Sequence, residues 1–203
     1  MKRILLLLLI LSVTPEVKAQ LNTDEAMAVQ YFQSGDYEKA AILYEKLFNR
    51  TKNASYYDPY FSCLLRLKKF DEAEKLARIL QKNNPENFNY PVDLGRVFQE
   101  RGEQEKSNAL YNNLIKNLPA NEFAIKDLAI TFYRAEAYDF SIKTFLNGRK
   151  ILNDEKSFIY DLLSLYRYRK DKVMLIQEYI LLLSINPEAL QPAQNVLGNI
   201  LEN

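Results

Sequence analysis

The chain has 203 residues, of which 48% are hydrophobic and 26% are charged, a composition typical of folded rather than disordered proteins. Its formal net charge of +1 gives no overall electrostatic basis for binding nucleic acid or a membrane surface. The single cysteine, Cys63, has no disulfide partner within the chain, and we predict that it is a buried structural thiol.

The first 19 residues have the pattern of a secretory signal peptide. Two basic residues precede an apolar run from residue 4 to residue 13, and Val17-Lys18-Ala19 ends the segment. We predict cleavage between Ala19 and Gln20, which would change the net charge of the chain to −1. The apolar run is about half as long as a membrane-spanning helix requires, so an uncleaved anchor is the less favoured alternative.

The predicted export also indicates a cellular compartment for the mature chain. Without a disulfide framework, an exported chain fits a bacterial periplasm or cell envelope better than a eukaryotic secreted module. No cysteine follows the cleavage site, which argues against a lipid anchor, and we predict no transmembrane span after cleavage.

The next stretch predicts a helix, a tight turn and a second helix. Ala28 and Tyr31 are spaced to share one helical face, and Ala40 and Tyr44 share another. Between them, Gly35-Asp36 provides a turn and an N-cap. Equivalent turns are predicted around Lys68, Gly102 and Glu136.

The helix–turn–helix unit recurs along the chain. Phe70-Asp71-Glu72-Ala73 follows Tyr37-Glu38-Lys39-Ala40 after 33 residues, and Pro85, Pro119 and Pro187 are separated by 34 residues or twice that number. We predict five repeats and a partial sixth, with bounds 21–53, 54–87, 88–121, 122–155, 156–189 and 190–203.

The motif positions of the five repeats can be compared directly. The first helices carry a large apolar residue followed by a position that is usually small: Met27-Ala28, Tyr60-Phe61, Leu94-Gly95, Leu128-Ala129 and Leu162-Leu163. The second helices carry a mostly small residue and, four residues later, a mostly aromatic one: Ala40 and Tyr44, Ala73 and Ala77, Ser107 and Tyr111, Ser141 and Phe145, Leu175 and Tyr179.

This 34-residue pattern resembles the tetratricopeptide repeat (TPR) family from about residue 21 to the end. The resemblance implies an all-α fold, a right-handed α-solenoid of antiparallel helix pairs, in which Ala40 and Gly95 lie at close helix crossings. The family's first motif position is poorly kept, with Asp24, Tyr57, Pro91, Ile125 and Ile159 in its place.

The last segment has the first-helix pattern of a sixth repeat, with Val196, Leu197 and Ile200, but no second helix follows. Either this helix caps the array or the sequence is the front part of a longer protein. We expect these residues to leave an apolar surface that favours self-association or a docked continuation.

The sequence offers no catalytic constellation. It has no histidine, a lone cysteine and no glycine-rich phosphate loop. Acid pairs such as Asp71-Glu72 lie at predicted helix starts, where they stabilise the helix. We therefore predict no catalytic residue, no metal site and no cofactor, and expect that the protein is not an enzyme.

Most aromatic residues occupy the repeating core positions, but Phe32, Phe123, Tyr133, Tyr160 and Tyr168 do not, and we predict that they lie on the surface. In the TPR family the first helix of each repeat lines an inner groove. The resemblance implies inward positions in repeats 4 and 5 at Phe123, Lys126, Ile130, Tyr133, Arg134, Ser157, Tyr160, Ser164, Arg167 and Tyr168.

Basic and aromatic side chains gather at these inward positions in repeats 3 to 5. Such a surface suits an extended acidic segment with apolar side chains, although ordinary solvated charges would give the same pattern. The predicted binding residues are Arg96, Lys126, Tyr133, Arg134, Tyr160, Arg167 and Tyr168.

Taken together, these features predict a non-enzymatic scaffold of the cell envelope that binds a protein or an extended peptide, rather than nucleic acid. The alternative is a targeting or assembly arm of a longer protein whose active domain lies beyond residue 203.

Overall fold

The computed structural model describes the backbone of residues 14–201 and the side chains of residues 23–198. The basic start and the apolar run of the predicted signal peptide lie outside the described residues, as does the side chain of Ile200. Regular structure in the described part is entirely helical. None of the described helices combines the length and apolar character that a bilayer span requires.

Residues 14–201 form eleven α-helices and one short 3-10 helix. They are α1 (Thr14–Ser34), α2 (Tyr37–Thr51), α3 (Ala54–Arg66), α4 (Phe70–Asn83), α5 (Asn89–Glu100), α6 (Gln104–Lys116), α7 (Glu122–Arg134), α8 (Tyr138–Leu152), α9 (Ile159–Arg169), α10 (Lys172–Ile185), the 3-10 helix (Pro187–Ala189) and α11 (Leu190–Leu201).

The first compact unit ends at residue 79. Its helices α1 and α2 are antiparallel, because Phe32 near the end of α1 packs on Tyr37 at the start of α2, with ring centroids 5.6 Å apart. At the other end of this pair, the Asp24 carboxylate lies 2.9 Å from the Lys46 ammonium. Cys63 of α3 is buried as predicted, and burial raises the pKa of its thiol to about 11.

The second compact unit begins at residue 80. Its helices α7 and α8 are also antiparallel: the Ser141 hydroxyl donates a hydrogen bond to the Ala129 carbonyl at 2.8 Å, and Phe132 packs against Phe140. One hydrophobic core extends from α5 to α11 in this unit. The prediction of an all-α fold built from TPR-like antiparallel helix pairs is confirmed.

The predicted register is confirmed at the positions where paired helices approach each other. In every repeat the usually small positions are buried: Ala28, Phe61, Gly95, Ala129 and Leu163 in the first helices, and Ala40, Ala73, Ser107, Ser141 and Leu175 in the second. Met27 is an exception to the apolar pattern. Its side chain is 40% exposed, although the sequence placed it among the core positions.

The family's first motif position belongs to the core in all five repeats. Asp24, Tyr57, Pro91, Ile125 and Ile159 are all buried. The sequence indicated that this position was poorly kept because the five residue types differ. Burial is nevertheless common to them, and at Asp24 the ion pair with Lys46 compensates part of the cost of burying a charge.

The turns between paired helices repeat with nearly the same period as the sequence. Gly35, Lys68, Gly102, Glu136 and Lys170 all have positive φ, between 56° and 79°. In each turn the next amide closes the preceding helix with a six-residue hydrogen bond, as from the Asp36 amide to the Tyr31 carbonyl at 2.9 Å. Only two of the five residues are glycines, so the repeat tolerates side chains in a conformation that favours glycine.

Gly95 lies where α5 and α6 cross most closely. A β-carbon at Gly95 would overlap the ring of Tyr111. The Tyr111 hydroxyl donates a hydrogen bond to the Val92 carbonyl at 2.9 Å, which fixes the ring across the glycine. The prediction of a close crossing at Gly95 is therefore confirmed.

The last helix, α11, packs on the core of the second unit. Ala193 is buried, and Val196 and Leu197 are half-buried against that core. These two side chains are less exposed than the sequence predicted, because α11 lies on the preceding helix pair. Self-association through this end of the chain stays a prediction.

Candidate peptide-binding groove

The exposed face of α9, the first helix of predicted repeat 5, borders two clefts, and α7, the first helix of predicted repeat 4, borders one of them. The first, here named the Asp161 cleft, has a volume of about 340 Å³. It is lined by residues of α7, α8 and α9: Ala129, Ile130, Tyr133, Ser141, Phe145, Tyr160, Asp161, Ser164 and Leu165.

The second, here named the Arg167 cleft, lies on the other side of α9 and has a volume of about 490 Å³. It is lined by α9, α10 and the segment that leads into α11: Tyr160, Leu163, Ser164, Arg167, Tyr179, Leu182, Asn186, Glu188, Ala189 and Pro192. Tyr160 and Ser164 line both clefts, so α9 is their common wall.

Helical spacing explains this arrangement. Tyr160, Ser164 and Arg167 are separated by four and three residues and therefore share one face of α9. The opposite face of α9 is buried through Leu162 and Tyr166, which turns the first three towards solvent. The Ser164 hydroxyl donates a hydrogen bond to the Tyr160 carbonyl at 2.9 Å and therefore does not need an acceptor from a ligand.

A cluster of three tyrosines lies beside the Asp161 cleft. Tyr138 packs against Tyr168 with ring centroids 4.7 Å apart and against Tyr133 at 5.4 Å. The hydroxyls of Tyr138 and Tyr168 are 3.1 Å apart, and this hydrogen bond raises the pKa of Tyr138 to about 12. The cluster keeps Tyr133 and Tyr168 next to each other at the surface.

The predicted surface aromatics are exposed, with one exception. Tyr133, Tyr160, Tyr168 and Phe123 are 47%, 65%, 57% and 80% exposed. Phe32, by contrast, is half-buried because its ring packs edge-on against Tyr37 and Tyr44.

Two of the predicted basic residues already have carboxylate partners within the chain. Arg96 lies 3.0 Å from Asp93, and Lys126 lies 2.8 Å from Glu122, with its ammonium also over the Phe158 ring. The hydrogen bond with Glu122 raises the pKa of Lys126. Neither residue lines the two clefts.

The other two basic residues are available to a ligand. Arg134 and Arg167 are exposed, and neither forms an ion pair with any residue that the structure describes. Arg167 lines a cleft, and Arg134 follows Tyr133 at the end of α7. The structure therefore places Tyr133, Tyr160 and Arg167 on the clefts and Tyr168 beside Tyr133, but not Arg96 or Lys126.

Sequence reasoning missed the two acidic residues at the clefts, Asp161 and Glu188. Asp161 lies in the first turn of α9, where an acid is ordinarily explained by the helix dipole. Burial raises the pKa of its carboxyl group, an effect that the nearby Lys126 partly opposes. Its position directly after Tyr160, an inward residue, is the signal that could have identified it.

Comparisons with known proteins give limited likenesses. No protein-family model matches the chain. The auxiliary subunit NAA15 of the N-terminal acetyltransferase A complex of Arabidopsis thaliana is 28% identical over 152 residues, covering 70% of this chain. The chain matches only 17% of the length of that relative.

Two solved structures of bacterial TPR proteins are also similar. One, a thermophilic protein from Thermus thermophilus, is 13% identical, with 90% of this chain and 100% of that chain covered and a TM-score of 0.42. The other, from Parabacteroides merdae, is 15% identical, with 89% and 72% covered and a TM-score of 0.41.

Proposed function

We propose that this protein is a non-enzymatic scaffold of the bacterial periplasm or cell envelope that binds a protein or an extended peptide across α9. One observation carries the proposal: Tyr160 and Ser164 line both clefts, so a single extended segment can cross α9 and place side chains in each. Neighbouring pockets that receive successive side chains of one segment are a feature of peptide recognition.

The chemistry of the exposed groups suits such a ligand. Tyr133, Tyr160 and Tyr168 offer large, rigid contact area at a small cost in conformational entropy. Arg134 and Arg167 can pair with carboxylates of the partner, since guanidinium groups bind carboxylates in a bidentate manner. Arg96 and Lys126 would first have to leave Asp93 and Glu122, so their contribution is secondary.

The absence of an enzymatic role is part of the proposal. The sequence has no histidine, and the thiol of Cys63 is buried in the first unit, where a raised pKa keeps it protonated. The Arabidopsis relative is named as an auxiliary subunit of a protein complex, and an auxiliary binding role is the kind proposed here.

A capture experiment from a cell-envelope extract tests the proposal. The immobilised chain and the double variant Tyr160→Ala with Arg167→Glu are compared by quantifying the same captured protein. We expect the variant to retain less of it at unchanged helicity, and the wild-type interaction to weaken with added salt.

Lys150→Glu, an exposed charge reversal near the end of α8 and outside both clefts, is the matched control and should leave capture unchanged. Equal capture by the double variant and by wild type would contradict binding at this groove and would indicate that the partner binds another surface.

A further inference from the structure

The Asp161 cleft has an apolar floor, aromatic walls and one charged group among its described lining residues. Ala129, Ile130, Phe145 and Leu165 supply the apolar surface, and Tyr133 and Tyr160 are largely exposed. The hydroxyl of Ser141 donates to the Ala129 carbonyl, and that of Ser164 donates to the Tyr160 carbonyl. The carboxylate of Asp161 is therefore the group that most needs a partner.

Asp161 forms no ion pair and accepts no hydrogen bond from another residue in the part of the chain that the structure describes. The nearest cation, Lys126, is held 2.8 Å from Glu122. Lys126 is therefore the ion-pair partner of Glu122 and not of Asp161. The local charge is negative, although the surrounding surface looked basic in the sequence.

Keeping this carboxylate in a half-buried cleft is unfavourable, because burial raises its pKa and so disfavours the charged form. A first-turn acid that served only the helix dipole would have a lowered pKa and could remain in open solvent. A group that costs stability and lines a cleft is typical of a binding site.

We propose that the Asp161 cleft takes a lysine or arginine side chain of the bound segment. The aliphatic stem would lie on the apolar floor, and the cationic head would meet the Asp161 carboxylate between the faces of Tyr133 and Tyr160. An acidic side chain is excluded here, since it would face Asp161 in a partly desolvated site.

This inference rests on the proposed function and specifies its ligand. The neighbouring Arg167 cleft offers a guanidinium group at its rim together with Glu188. A segment that places a basic side chain in the Asp161 cleft can therefore present a carboxylate to Arg167. The ligand is a mixed-charge segment rather than the acidic segment with apolar side chains that the sequence predicted.

Selection from a displayed library of random linear peptides tests the inference with the purified chain as bait. We expect wild type to enrich peptides with lysine or arginine at one position, and Asp161→Asn to abolish that preference. For a selected peptide, Asp161→Asn should weaken binding about tenfold or more, as expected when one partner of a charged hydrogen bond is lost.

Asp127→Asn is the matched control. Asp127 is an exposed acid on α7 that lines a separate depression with Asn84 and Asn89, and its loss should leave the preference unchanged. Circular dichroism confirms that each variant is folded. Asp161→Lys adds an independent readout, because it should turn the selection towards aspartate and glutamate.

The outcomes separate the two proposals. This inference would be overturned if the binding of selected peptides depended on Tyr160 and Arg167 but the peptides had no enriched basic position. It would also be overturned if Asp161→Asn kept the preference for a basic position. In both cases the proposed peptide-binding groove would still stand. Failure to select any peptide whose binding depends on Tyr160 or Arg167 would overturn the proposed function itself.

Discussion

At Gly95, the absence of a side chain allows two helices to approach closely. The Tyr111 ring occupies the space in which a β-carbon would lie, and its hydroxyl is bonded to the Val92 carbonyl. The ring cannot move away without breaking that buried hydrogen bond.

Replacing Gly95 with alanine should destabilise the protein by about 1–3 kcal/mol, because the added methyl group overpacks the crossing. A loss of stability would be diagnostic of a close crossing, because alanine ordinarily stabilises a helix interior by about 0.5–1 kcal/mol relative to glycine. Urea unfolding measures the difference. Gly198→Ala in α11 is the control: a β-carbon there meets nothing within 4 Å, so that variant should gain stability. A stable Gly95→Ala variant would contradict the assigned crossing.

Asp161 should make stability depend on pH in the opposite sense to an ion-paired acid. Its pKa is raised above the ordinary value of 3.8 by burial and by Glu122, while Lys126 lowers it. The unfolded state then loses its proton at a lower pH than the folded state, so stability falls as pH rises through this range. Asp161→Asn should remove that loss and raise the melting temperature at neutral pH.

Thermal unfolding of wild type and Asp161→Asn at several pH values measures this effect. The advantage of the variant should shrink towards acid pH, where the wild-type carboxyl group is protonated in both states. Asp127→Asn serves again as the exposed control. A lower melting temperature for Asp161→Asn at neutral pH would show that the carboxylate is structural and would also weaken the case for a cation site.

At the scale of the element, the turn within each helix pair is the most regular feature of the molecule. At all five turns one residue has the left-handed backbone conformation, and the amide of the next residue makes a six-residue hydrogen bond. Lys68, Glu136 and Lys170 adopt this conformation despite having a β-carbon, which costs roughly 1–2 kcal/mol in general. The surrounding helix pair must therefore enforce the turn.

Glu136→Gly should raise the free energy of unfolding by about 0.5–1 kcal/mol, since glycine adopts positive φ without steric cost but loses more backbone entropy on folding. Chemical denaturation checks the value. The adjacent Ala135 has φ of −81°, so Ala135→Gly should instead destabilise the chain and provides the control. If both variants destabilise alike, the turn at Glu136 is not under strain.

Much of this element-scale organisation could be predicted from the sequence, because close crossings need small or well-fitted residues at a fixed period. Ala28, Ala40 and Gly95 follow that rule, and all are buried. The apolar pattern was wrong at Met27, which it placed in the core although the side chain is 40% exposed.

The candidate site was less predictable than the fold. Helical spacing was enough to place Tyr160 and Arg167 on one face, because that depends on a single helix. Lys126 was predicted to bind the ligand, but it forms an ion pair with Glu122 one helical turn away. Clefts form where three helices meet, and a local pattern cannot show that Asp161 lines one of them.

At the scale of the whole molecule, the predicted leader and the first repeat meet within α1, because this helix begins at Thr14 and spans the predicted cleavage site. Asp24, Tyr31 and Phe32 of α1 contact α2, and all three follow the predicted cleavage site between Ala19 and Gln20. Removing residues 1–19 would leave these contacts in place. Cleavage would also remove residues 14–19 from the start of α1, while the side chains that contact α2 would remain.

We expect the envelope-resident protein to begin at Gln20, because signal peptidases require a small residue before the cut. Intact mass and amino-terminal sequencing of the protein from the envelope fraction check this. Ala19→Arg should block cleavage and leave the leader attached, whereas Lys150→Gln, an exposed change in the folded array, should be processed normally. A resident protein that still begins at Met1 would overturn both the cleavage site and the proposal of a released periplasmic scaffold, since the apolar leader would then hold the repeats at the membrane.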